Sequence, residues 1–555
     1  MQLKLIFTLI SFCMMPFWNM HTSYITKNEN VPFIWENANV YFLLTDRFYN
    51  GDPTNDVNFD RTDKTSVLRG FMGGDIKGIT KKIKEGYFSK LGVNAIWLTP
   101  VVEQIHGFVD EGQGKTYGFH GYWTKDWTCM DPNFGTEADL QELVKTAHDR
   151  GIRILLDVVL NHTGPVTNVD PVWPREWVRT EPRCTYKDYK TTISCTLVNN
   201  LPDVKTEDTV SVDLPENLKA KWQKEGRLEK ETRELDAFFA KTGLKRTPAN
   251  YIIKWLTDFI HKYGIDGYRI DTAKHVEENV WTELIKQAQI AFKDWKVAHP
   301  EAVLDDNDFY VVGEVYGYNI HNGRDYDFGD RKVDYFSKGF KSLINFGFKY
   351  DAKKTYEELF SYYSGRLQNE LKGKSVLNYL SSHDDGDPYD LKREKGFEAA
   401  NRLLLCPGAA QIYYGEESDR PLEREGALGD AHLRTFMNWD QIQKNDTIKR
   451  TPIKALLEHW QKLGKFRNEH PAVGAGIHQM ISERPYYFSR TYNSEKYRDV
   501  VIIGLDLPKG KKEIPINNLF KNGSRLKDYY SGKKVKVRNG KISLDTDYNI
   551  VLLGI

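Results

Sequence analysis

The stretch GIDGYRIDTAKH, from Gly264 to His275, decides the fold, because an apolar segment ends there in a cluster of ionisable side chains. Successive side chains of a strand point to opposite faces, so Arg269 and Asp271 share one face while Tyr268 and Ile270 share the other. A barrel interior on one side and a helix layer on the other explain this alternation. An Arg beside an Asp can also be a purely structural ion pair, so the rest of the sequence decides between the two interpretations.

Six further segments have the same character: short, apolar, β-branched and ending in polar residues. In chain order they are ANVYFLLTDRF, VNAIWLTPVVE, GIRILLDVVLNH, FYVVGEVYG, VLNYLSSHDD and AAQIYYGEE. Amphipathic helical patterns such as TEADLQELVKTAHDRG and NYIIKWLTDFIHKYG lie between them. Strand and helix alternate over about 430 residues, which predicts a parallel sheet with helical crossovers. Because every strand carries its polar residues at the carboxyl end, we predict an α/β fold with a (β/α)8 TIM barrel.

Two departures from this alternation predict additional domains. About 90 residues follow DVVLNH before the next helix, too many for a βα loop, so we predict an inserted domain after strand 3, at residues 163–248. From about Pro471 short strands and turns take over, which predicts a C-terminal antiparallel β-sandwich at residues 468–555. The barrel is then assigned to residues 31–467 and a leader to residues 1–30.

Composition excludes some classes of partner. The 555 residues are too many for one ordinary core. The 78 basic residues nearly balance the 77 acidic ones without a long run of one sign, so we expect no nucleic-acid partner. Aromatic residues make up 13% of the chain, and their ring faces suit stacking on sugars, although most will be core.

The N-terminal sequence MQLKLIFTLISFC predicts export. Lys4 precedes an apolar run of about a dozen residues, which matches a secretory signal and is too short for a membrane span. We therefore expect a periplasmic, extracellular or envelope-associated protein with no transmembrane domain in the mature chain. A lipid anchor on Cys13 is an alternative. In an exported protein Cys184 and Cys195 could pair or remain free thiols, whereas Cys406 is expected to be a small core residue.

Carboxylates at other strand ends favour a functional site over a structural ion pair. Asp157 and Asn161 follow the alternation of Arg269 and Asp271 on another strand. Glu314 and Asp384 lie at the ends of two more predicted strands. The acids at strand ends are then Asp157, Asp271, Glu314 and Asp384. Convergence of these acids at one barrel mouth would cost stability, since like charges repel and desolvation is unfavourable. Glycosyl transfer requires such a set: an ionised nucleophile, a protonated acid and a third group that holds the sugar.

The motifs DVVLNH, GYRIDTAKH, GEVY and SSHDD, in this order and at strand ends, resemble the four short motifs of the α-amylase family of glycoside hydrolases, family 13. HGYW at His120–Trp123, LPD at Leu201–Asp203 and YYGEE at Tyr413–Glu417 extend the resemblance. It covers the chain from Asn37 to Arg467 and includes bacterial secreted or periplasmic α-amylases and cyclodextrin glucanotransferases.

The resemblance implies a retaining hydrolase that cleaves α-1,4-glucosidic bonds of starch, glycogen or maltooligosaccharides by double displacement. Asp271 would be the nucleophile, held ionised and oriented by Arg269. Glu314 would be the general acid/base. Asp384 would bind the hydroxyl groups of the sugar in subsite −1 and favour its distorted form.

Other residues of the motifs are expected to bind substrate. The resemblance implies that His162 and His383 hydrogen-bond the sugar in subsite −1, with Tyr122 stacked beneath it. Lys274 and His275 would line the acceptor side. Histidines outside these strand-end motifs are expected to be ordinary surface or core residues: His120, His148 and His261.

The resemblance also implies calcium. Asn161, Asp203 and the backbone carbonyl of His275 match the family's site between barrel and inserted domain, and calcium favours such oxygen ligands. A second set resembles an extra site of glucanotransferases and some bacterial α-amylases, and it comprises Asn50, Asp52, Asn55, Asp56, Gly73 and Asp75. A plain turn is the alternative for the second set, because turns use the same residue types.

Three alternatives to an α-amylase stay open at this stage. Cyclomaltodextrinase or neopullulanase activity depends on the pocket loops. For transglycosylation, the glucanotransferases carry an aromatic residue where this chain has Asn199, which favours hydrolysis. An inactive glucan-binding protein is disfavoured by the complete acid triad. We expect a monomer that acts on an α-glucan. The motifs leave open the linkage preference, endo or exo action, and the role of the long helical insertion.

Overall fold

The structure is a computed structural model that describes residues 31–110, 112–448 and 451–555. The predicted leader at residues 1–30, with Cys13, lies outside these ranges. Within them, no helix combines the length and the apolar character needed to cross a membrane.

Eight parallel strands form a closed barrel in which each strand pairs with its neighbours in sequence and β1 pairs with β8. The strands are β1 Asn39–Leu43, β2 Ala95–Leu98, β3 Arg153–Val158, β4 Gly267–Ile270, β5 Tyr310–Gly313, β6 Ser342–Asn345, β7 Ser375–Tyr379 and β8 Ala409–Tyr413. The predicted (β/α)8 barrel is confirmed. Strand β6 was absent from the seven predicted segments, because it is four residues long and ends without a charged motif.

Helices cover the outside of the barrel and also form part of the insertion after β3. In the described residues, those of nine residues or more are α1 Ile76–Lys84, α2 Glu137–His148, α3 Glu216–Lys224, α4 Leu228–Thr242, α5 Pro248–Tyr263, α6 Glu278–Ala298, α7 Tyr356–Gln368, α8 Gly396–Leu404 and α9 Ile453–Glu469. The connection from β5 to β6 differs, since it consists of short 3₁₀ turns and a small hairpin, Asp325–Asp327 paired with Lys332–Asp334. Other short antiparallel pairs are Val102–Gln104 with Thr124–Met130, Val109–Asp110 with Lys115–Thr116, and Thr447–Ile448 with Thr451–Pro452.

Two glycines explain how the chain enters β4. Helix α5 begins after the N-cap Thr247 and ends at Tyr263, and the next residue, Gly264, has a left-handed φ of 66°. A β-carbon on Gly264 would lie 2.0 Å from Trp295 Cε2, so α6 packs against the bare backbone. A β-carbon on Gly267 would lie 2.4 Å from the Tyr310 carbonyl oxygen of β5. Any larger residue at either position would displace the strand that carries the ionisable cluster.

The predicted insertion after β3 is present and carries its own elements. It contains a two-residue strand pair, Val178–Arg179 with Asp203–Val204, followed by helices α3 and α4. Trp222 of α3 is buried, and its ring centre lies 6.2 Å from that of Trp255 on α5. Cys184 and Cys195 form a disulfide, so the first of the two sequence alternatives holds.

The C-terminal region contains two antiparallel sheets. Its strands are β9 Ile477–Ser482, β10 Tyr486–Asn493, β11 Arg498–Leu505, β12 Gly510–Pro515, β13 Arg525–Asp528, β14 Lys534–Lys536, β15 Lys541–Thr546 and β16 Val551–Gly554. One sheet has the order β9-β10-β11-β16-β13-β14, and β12 pairs with β15 in the other. Ile514 and Ile542 of the small sheet share a buried cluster with Ile502 and Leu553 of the large one. This confirms the predicted β-sandwich, while the exact domain boundaries stay predictions.

Candidate active site

One buried guanidinium group organises the carboxylates at the carboxyl ends of the strands. Arg269 on β4 is 1% exposed. Its Nη1 lies 3.0 Å from Asp157 Oδ1 and 2.6 Å from Asp271 Oδ1, and its Nη2 lies 3.3 Å from Glu314 Oε1. Three carboxyl groups around one arginine are more than a structural ion pair needs. The arrangement favours the functional interpretation.

Glu314 follows β5 and is buried. Its Oε2 accepts a 2.6 Å hydrogen bond from the amide of Thr272, whose φ of 49° is left-handed and is adopted directly after Asp271. Burial raises the pKa of Glu314 well above its usual range, and the charges of Asp271 and Asp384 raise it further, against the opposing effect of Arg269. A carboxyl group with this pKa holds a proton that it can donate.

Asp384 follows β7 and is open to the cleft. The surrounding protein by itself raises the pKa of Asp384, but interactions with His383 and Arg269 and a 2.9 Å hydrogen bond from Ser382 Oγ outweigh that effect and leave its pKa below the usual value. The pKa values of Glu314 and Asp384 are therefore shifted in opposite directions. Carboxyl groups with separated pKa values are typical of acid/base sites.

Asp157 on β3 connects the carboxylate cluster to an aromatic wall. Its Oδ2 accepts hydrogen bonds from Tyr122 Oη at 2.7 Å and from Trp97 Nε1 at 3.1 Å. Burial raises the pKa of Asp157 to about 7, partly offset by Arg269. The Tyr122 ring lies nearly parallel to His383, with ring centres 5.2 Å apart. Sequence reasoning missed Trp97, although it lies near the carboxyl end of β2.

The histidines of the motifs are buried around Tyr122. His162 Nε2 donates to the Tyr122 carbonyl at 3.1 Å, and Arg434 Nε donates to the His383 carbonyl at 2.9 Å. Burial lowers the pKa of His383 to about 4, so this ring is neutral at neutral pH and offers both a donor and an acceptor. His120, expected to be an ordinary residue, accepts the Tyr122 amide hydrogen at Nδ1, 3.1 Å away. Sequence reasoning also missed Arg434, because no local motif indicates its contact with His383.

Lys274 and His275 follow Thr272, whose amide contacts Glu314. Lys274 Nζ donates to the Tyr316 carbonyl at 3.0 Å and to Tyr326 Oη at 3.3 Å. His275 Nδ1 donates to the Thr192 carbonyl of the insertion at 2.8 Å, and burial lowers the pKa of His275 to about 4. The structure thus brings together all nine residues predicted to act on substrate or to bind it: Tyr122, His162, Arg269, Asp271, Lys274, His275, Glu314, His383 and Asp384.

The first predicted metal set contains buried oxygen atoms without a hydrogen-bond donor. Asn161 Oδ1 and Asp203 Oδ1 are both in this state, and the Val204 amide donates to the Asn161 carbonyl at 2.8 Å, which joins the two segments. Arg179 Nε lies 2.8 Å from the other oxygen, Asp203 Oδ2. Burial raises the pKa of Asp203 well above its usual range. An amide and a carboxylate oxygen left without donors fit a calcium ion.

The second predicted metal set divides into two groups. Asn50 Nδ2 donates to Asp56 Oδ1 at 2.9 Å, and a β-carbon on Gly73 would lie 2.5 Å from Asn50 Nδ2. The side-chain oxygens of Asn50 and Asn55 are buried without a donor. These four residues fit a cation held by oxygen ligands.

Asp75 and Asp52 make other contacts. Asp75 Oδ1 caps α1 by accepting the Gly78 amide hydrogen at 2.6 Å, while Asp52 Oδ2 pairs with Lys77 Nζ at 2.6 Å. These two carboxylates therefore have structural partners in the turn, as the alternative interpretation expects.

An acidic cluster that sequence reasoning missed lies where the insertion meets the barrel. Ligand atoms of Glu103, Asp126 and Cys129 come within 4.8 Å of one another. Lys221 Nζ of α3 lies 2.8 Å from Glu103 Oε2 and 2.9 Å from Asp126 Oδ2. The lysine occupies the position that a cation would need, so this cluster anchors the insertion.

Comparison with known proteins adds independent findings. The sequence profile described as "Alpha amylase, catalytic domain" matches residues 42–476, a span that contains every predicted site residue. A periplasmic alpha-amylase of Escherichia coli is 36% identical over 530 residues, which cover 84% of this chain and 72% of that protein. A cyclomaltodextrin glucanotransferase of a Bacillus species is 30% identical over 524 residues, covering 91% and 64%.

Two solved structures share the fold of this chain. A crystal structure of an Anoxybacillus alpha-amylase superposes with a TM-score of 0.63 at 23% identity and covers 94% of this chain and 99% of that chain. A three-domain cyclomaltodextrin glucanotransferase, CldA, has a TM-score of 0.61 at 21% identity and covers 93% and 99%. At these identities the likeness concerns the fold alone.

Proposed function

This chain belongs to the alpha-amylase family and is an α-1,4-glucan hydrolase, and we propose that Asp271, Glu314 and Asp384 carry out a retaining double displacement. The observation that carries the assignment is the single guanidinium of Arg269, which contacts both Asp271 and Glu314. It holds two carboxyl groups within the span of one side chain, as a retaining pair requires.

In the first displacement, a carboxylate oxygen of Asp271 attacks the anomeric carbon of the glucosyl unit in subsite −1. The bond from that carbon to the glycosidic oxygen breaks, and the proton of Glu314 passes to the departing oxygen. The raised pKa of Glu314 favours the protonated form that this step needs. The product is a glucosyl ester of Asp271 and a free glucan chain.

In the second displacement, ionised Glu314 takes a proton from water while the water oxygen attacks the same anomeric carbon. The ester bond breaks and Asp271 leaves as a carboxylate, which Arg269 stabilises at 2.6 Å. Two inversions give a product with the original α configuration.

The remaining groups position the sugar. Asp384, ionised and open to the cleft, binds its hydroxyl groups, and neutral His162 and His383 add donors and acceptors. Tyr122 supplies a ring face, fixed by its hydrogen bond to Asp157. Lys274 and His275 lie on the side of the departing chain. We place hydrolysis ahead of transfer because the 36% identical relative is an alpha-amylase.

Calcium is part of the proposal. Asn161 and Asp203, whose side-chain oxygens are buried without a donor, would hold one ion together with the backbone carbonyl of His275. Asn50, Asn55, Asp56 and Gly73 would hold a second ion, with Asp52 and Asp75 shaping the turn around them. Each ion would brace a loop and takes no part in bond breaking.

Export is also proposed. The leader at residues 1–30 has the pattern of a secretory signal. The disulfide between Cys184 and Cys195 supports an oxidising compartment, and the E. coli relative is periplasmic.

The function is tested by the products from soluble starch, pullulan and a cyclodextrin, with their anomeric configuration read by proton NMR. Wild type should release α-configured maltooligosaccharides from starch. Asp271→Asn and Glu314→Gln should lose nearly all activity, whereas Asp149→Asn, an exposed carboxylate at the end of α2, should match wild type. No release from any of the three glucans, or β-configured products, would contradict the proposal.

A further inference from the structure

The disulfide closes a short loop, residues 184–195, which we name the disulfide loop, and this loop lies against the acceptor side of the site. The Thr192 carbonyl accepts the hydrogen bond of His275 Nδ1 at 2.8 Å. The ring of Tyr186 stands edge-on to the His275 ring at 78°, with ring centres 6.0 Å apart. A segment of the insertion therefore forms part of the catalytic cleft.

Three tyrosine rings surround Lys274 and form what we name the tyrosine cluster: Tyr186, Tyr316 and Tyr326. The ring centres lie 5.7, 5.3 and 5.6 Å from Lys274 Nζ in that order. Lys274 is buried, yet Tyr186 is 54% exposed and Tyr316 is 48% exposed. Open ring faces beside a buried ammonium group suit a sugar, which stacks its apolar face on the ring and accepts hydrogen bonds at its hydroxyl groups.

The backbone at Tyr186 is held in an unfavourable conformation. Its φ of 56° is left-handed, which a bulky residue rarely adopts. Thr191 fixes this turn, because its Oγ1 accepts the amide hydrogens of Lys187 and Asp188 at 3.1 Å each and its carbonyl accepts that of Thr185 at 3.2 Å. Strain that presents an exposed ring to a cleft adds nothing to core packing and is typical of functional sites.

The disulfide loop and the hairpin after β5 form one wall. The Tyr189 amide donates to Asp330 Oδ1 at 2.8 Å, and the Arg331 guanidinium lies 3.9 Å from the centre of the Tyr189 ring. Tyr326 belongs to this hairpin, so it is fixed relative to Tyr186 by contacts on both segments. The tyrosine cluster is thus built from the insertion after β3 and from the connection between β5 and β6.

The position of the disulfide loop and the hairpin relative to Glu314 determines what they bind. The Thr272 amide donates to Glu314 Oε2 at 2.6 Å, and Lys274, two residues further along the chain, donates to the carbonyl of Tyr316, which lies two residues after Glu314. Because Glu314 donates its proton to the departing glycosidic oxygen, the departing chain lies next to Glu314, and the groups around Lys274 are within its reach. Building on the proposed function, we infer that Tyr186 is a specificity-determining residue that stacks on glucosyl units of the departing glucan, and that the Cys184–Cys195 disulfide positions it.

Two substrates separate acceptor binding from chemistry. Maltoheptaose places glucosyl units on both sides of the cleaved bond, whereas α-maltotriosyl fluoride leaves nothing but fluoride on the acceptor side. Tyr186→Ala should lower kcat/KM for maltoheptaose about ten-fold, mainly through KM, because one aromatic stacking contact is lost. Its turnover of the fluoride should stay within about two-fold of wild type, since the chemistry does not involve the ring.

Matched variants keep the test specific. Tyr186→Phe retains the ring and should restore maltoheptaose cleavage to within about two-fold of wild type. Tyr548→Ala, at a similarly exposed tyrosine of the C-terminal region, should have no effect on either substrate. The double variant Cys184→Ser/Cys195→Ser should raise KM for maltoheptaose in the same way, and adding Tyr186→Ala to it should cost less than in wild type, since the two changes act on one contact.

The outcomes separate this inference from the function on which it rests. If wild type cleaves neither maltoheptaose nor the fluoride, the proposed function is wrong. If wild type cleaves both and Tyr186→Ala leaves KM for maltoheptaose unchanged, or impairs both substrates equally, the inference about Tyr186 is overturned while the function stands.

Discussion

The strand ends of the barrel and the insertion after β3 both line the cleft, but they hold their residues in different ways. Asp271, Glu314 and Asp384 each lie within a few residues of a strand end, so the barrel backbone sets their positions. In the insertion, a disulfide closes the loop that carries Tyr186, and a two-residue strand pair holds Asp203.

Tyr186 lies in the disulfide loop and Asp203 in that strand pair, and their positions therefore rest on local cross-links. We infer from this difference that the two regions have different roles. The barrel strand ends break the glycosidic bond, whereas the insertion selects the substrate and stabilises the cleft. If the two roles are separate, substitutions at the strand ends abolish turnover, whereas substitutions in the insertion alter KM or thermal stability.

The largest effect is expected at the nucleophile. Asp271→Asn should lower kcat on starch by about 10⁴-fold or more, because no other group can form the ester. The melting temperature should change little, since the amide can still accept the hydrogen bond of Arg269. Initial rates and a thermal melt on the same preparation check both points. Residual turnover near that of wild type would show that another residue attacks the sugar.

Glu314→Gln should lower kcat on starch by about 10²- to 10⁴-fold, the usual contribution of general acid catalysis. Its pH profile gives a second readout. Wild-type activity should fall as pH rises through the pKa of Glu314, which lies well above its usual value because of burial, and the variant should lose this alkaline limb. An unchanged limb in Glu314→Gln would assign the ionisation to a different group.

In the insertion, Asp203→Asn should act on stability. If Asp203 and Asn161 hold calcium, a chelator should lower the melting temperature of wild type by about 3–8 °C, and added calcium should restore it. The variant should melt lower and respond to neither. Calorimetry with and without chelator makes the comparison, and equal chelator sensitivity of both proteins would remove Asp203 from the site.

The smallest effect concerns acid stability, which depends on buried histidines outside the insertion. Burial lowers the pKa of His383 at the strand ends and of His459, beside Tyr530 of the C-terminal region, to about 4. The unfolded chain binds these protons near pH 6.5, so stability is present above that pH and is lost as pH falls towards 4. His459→Gln should remove about 2 °C of the acid-induced fall in melting temperature. A fall that is identical in the variant would show that the pKa of His459 is the same in the folded and the unfolded chain.

Sequence reasoning succeeded where chemistry is tied to a strand end. Alternation along GYRID placed Arg269 beside Asp271, and the ends of two further strands supplied Glu314 and Asp384. It could not find Trp97 or Arg434, because their contacts arise when distant segments pack together. The short β6 lacked a charged end and was missed for that reason. The pairing of cysteines in the insertion stayed open until the structure brought Cys184 and Cys195 together.

The most direct test of the account is to trap the ester on Asp271. In Glu314→Gln, α-maltotriosyl fluoride can still react, because fluoride leaves without a proton, but no base activates water for the second step. Mass spectrometry of the digested protein should then find one maltotriosyl group on the peptide that contains Asp271. A group on another carboxylate, or an unmodified protein that releases β-configured product, would contradict the double displacement at Asp271.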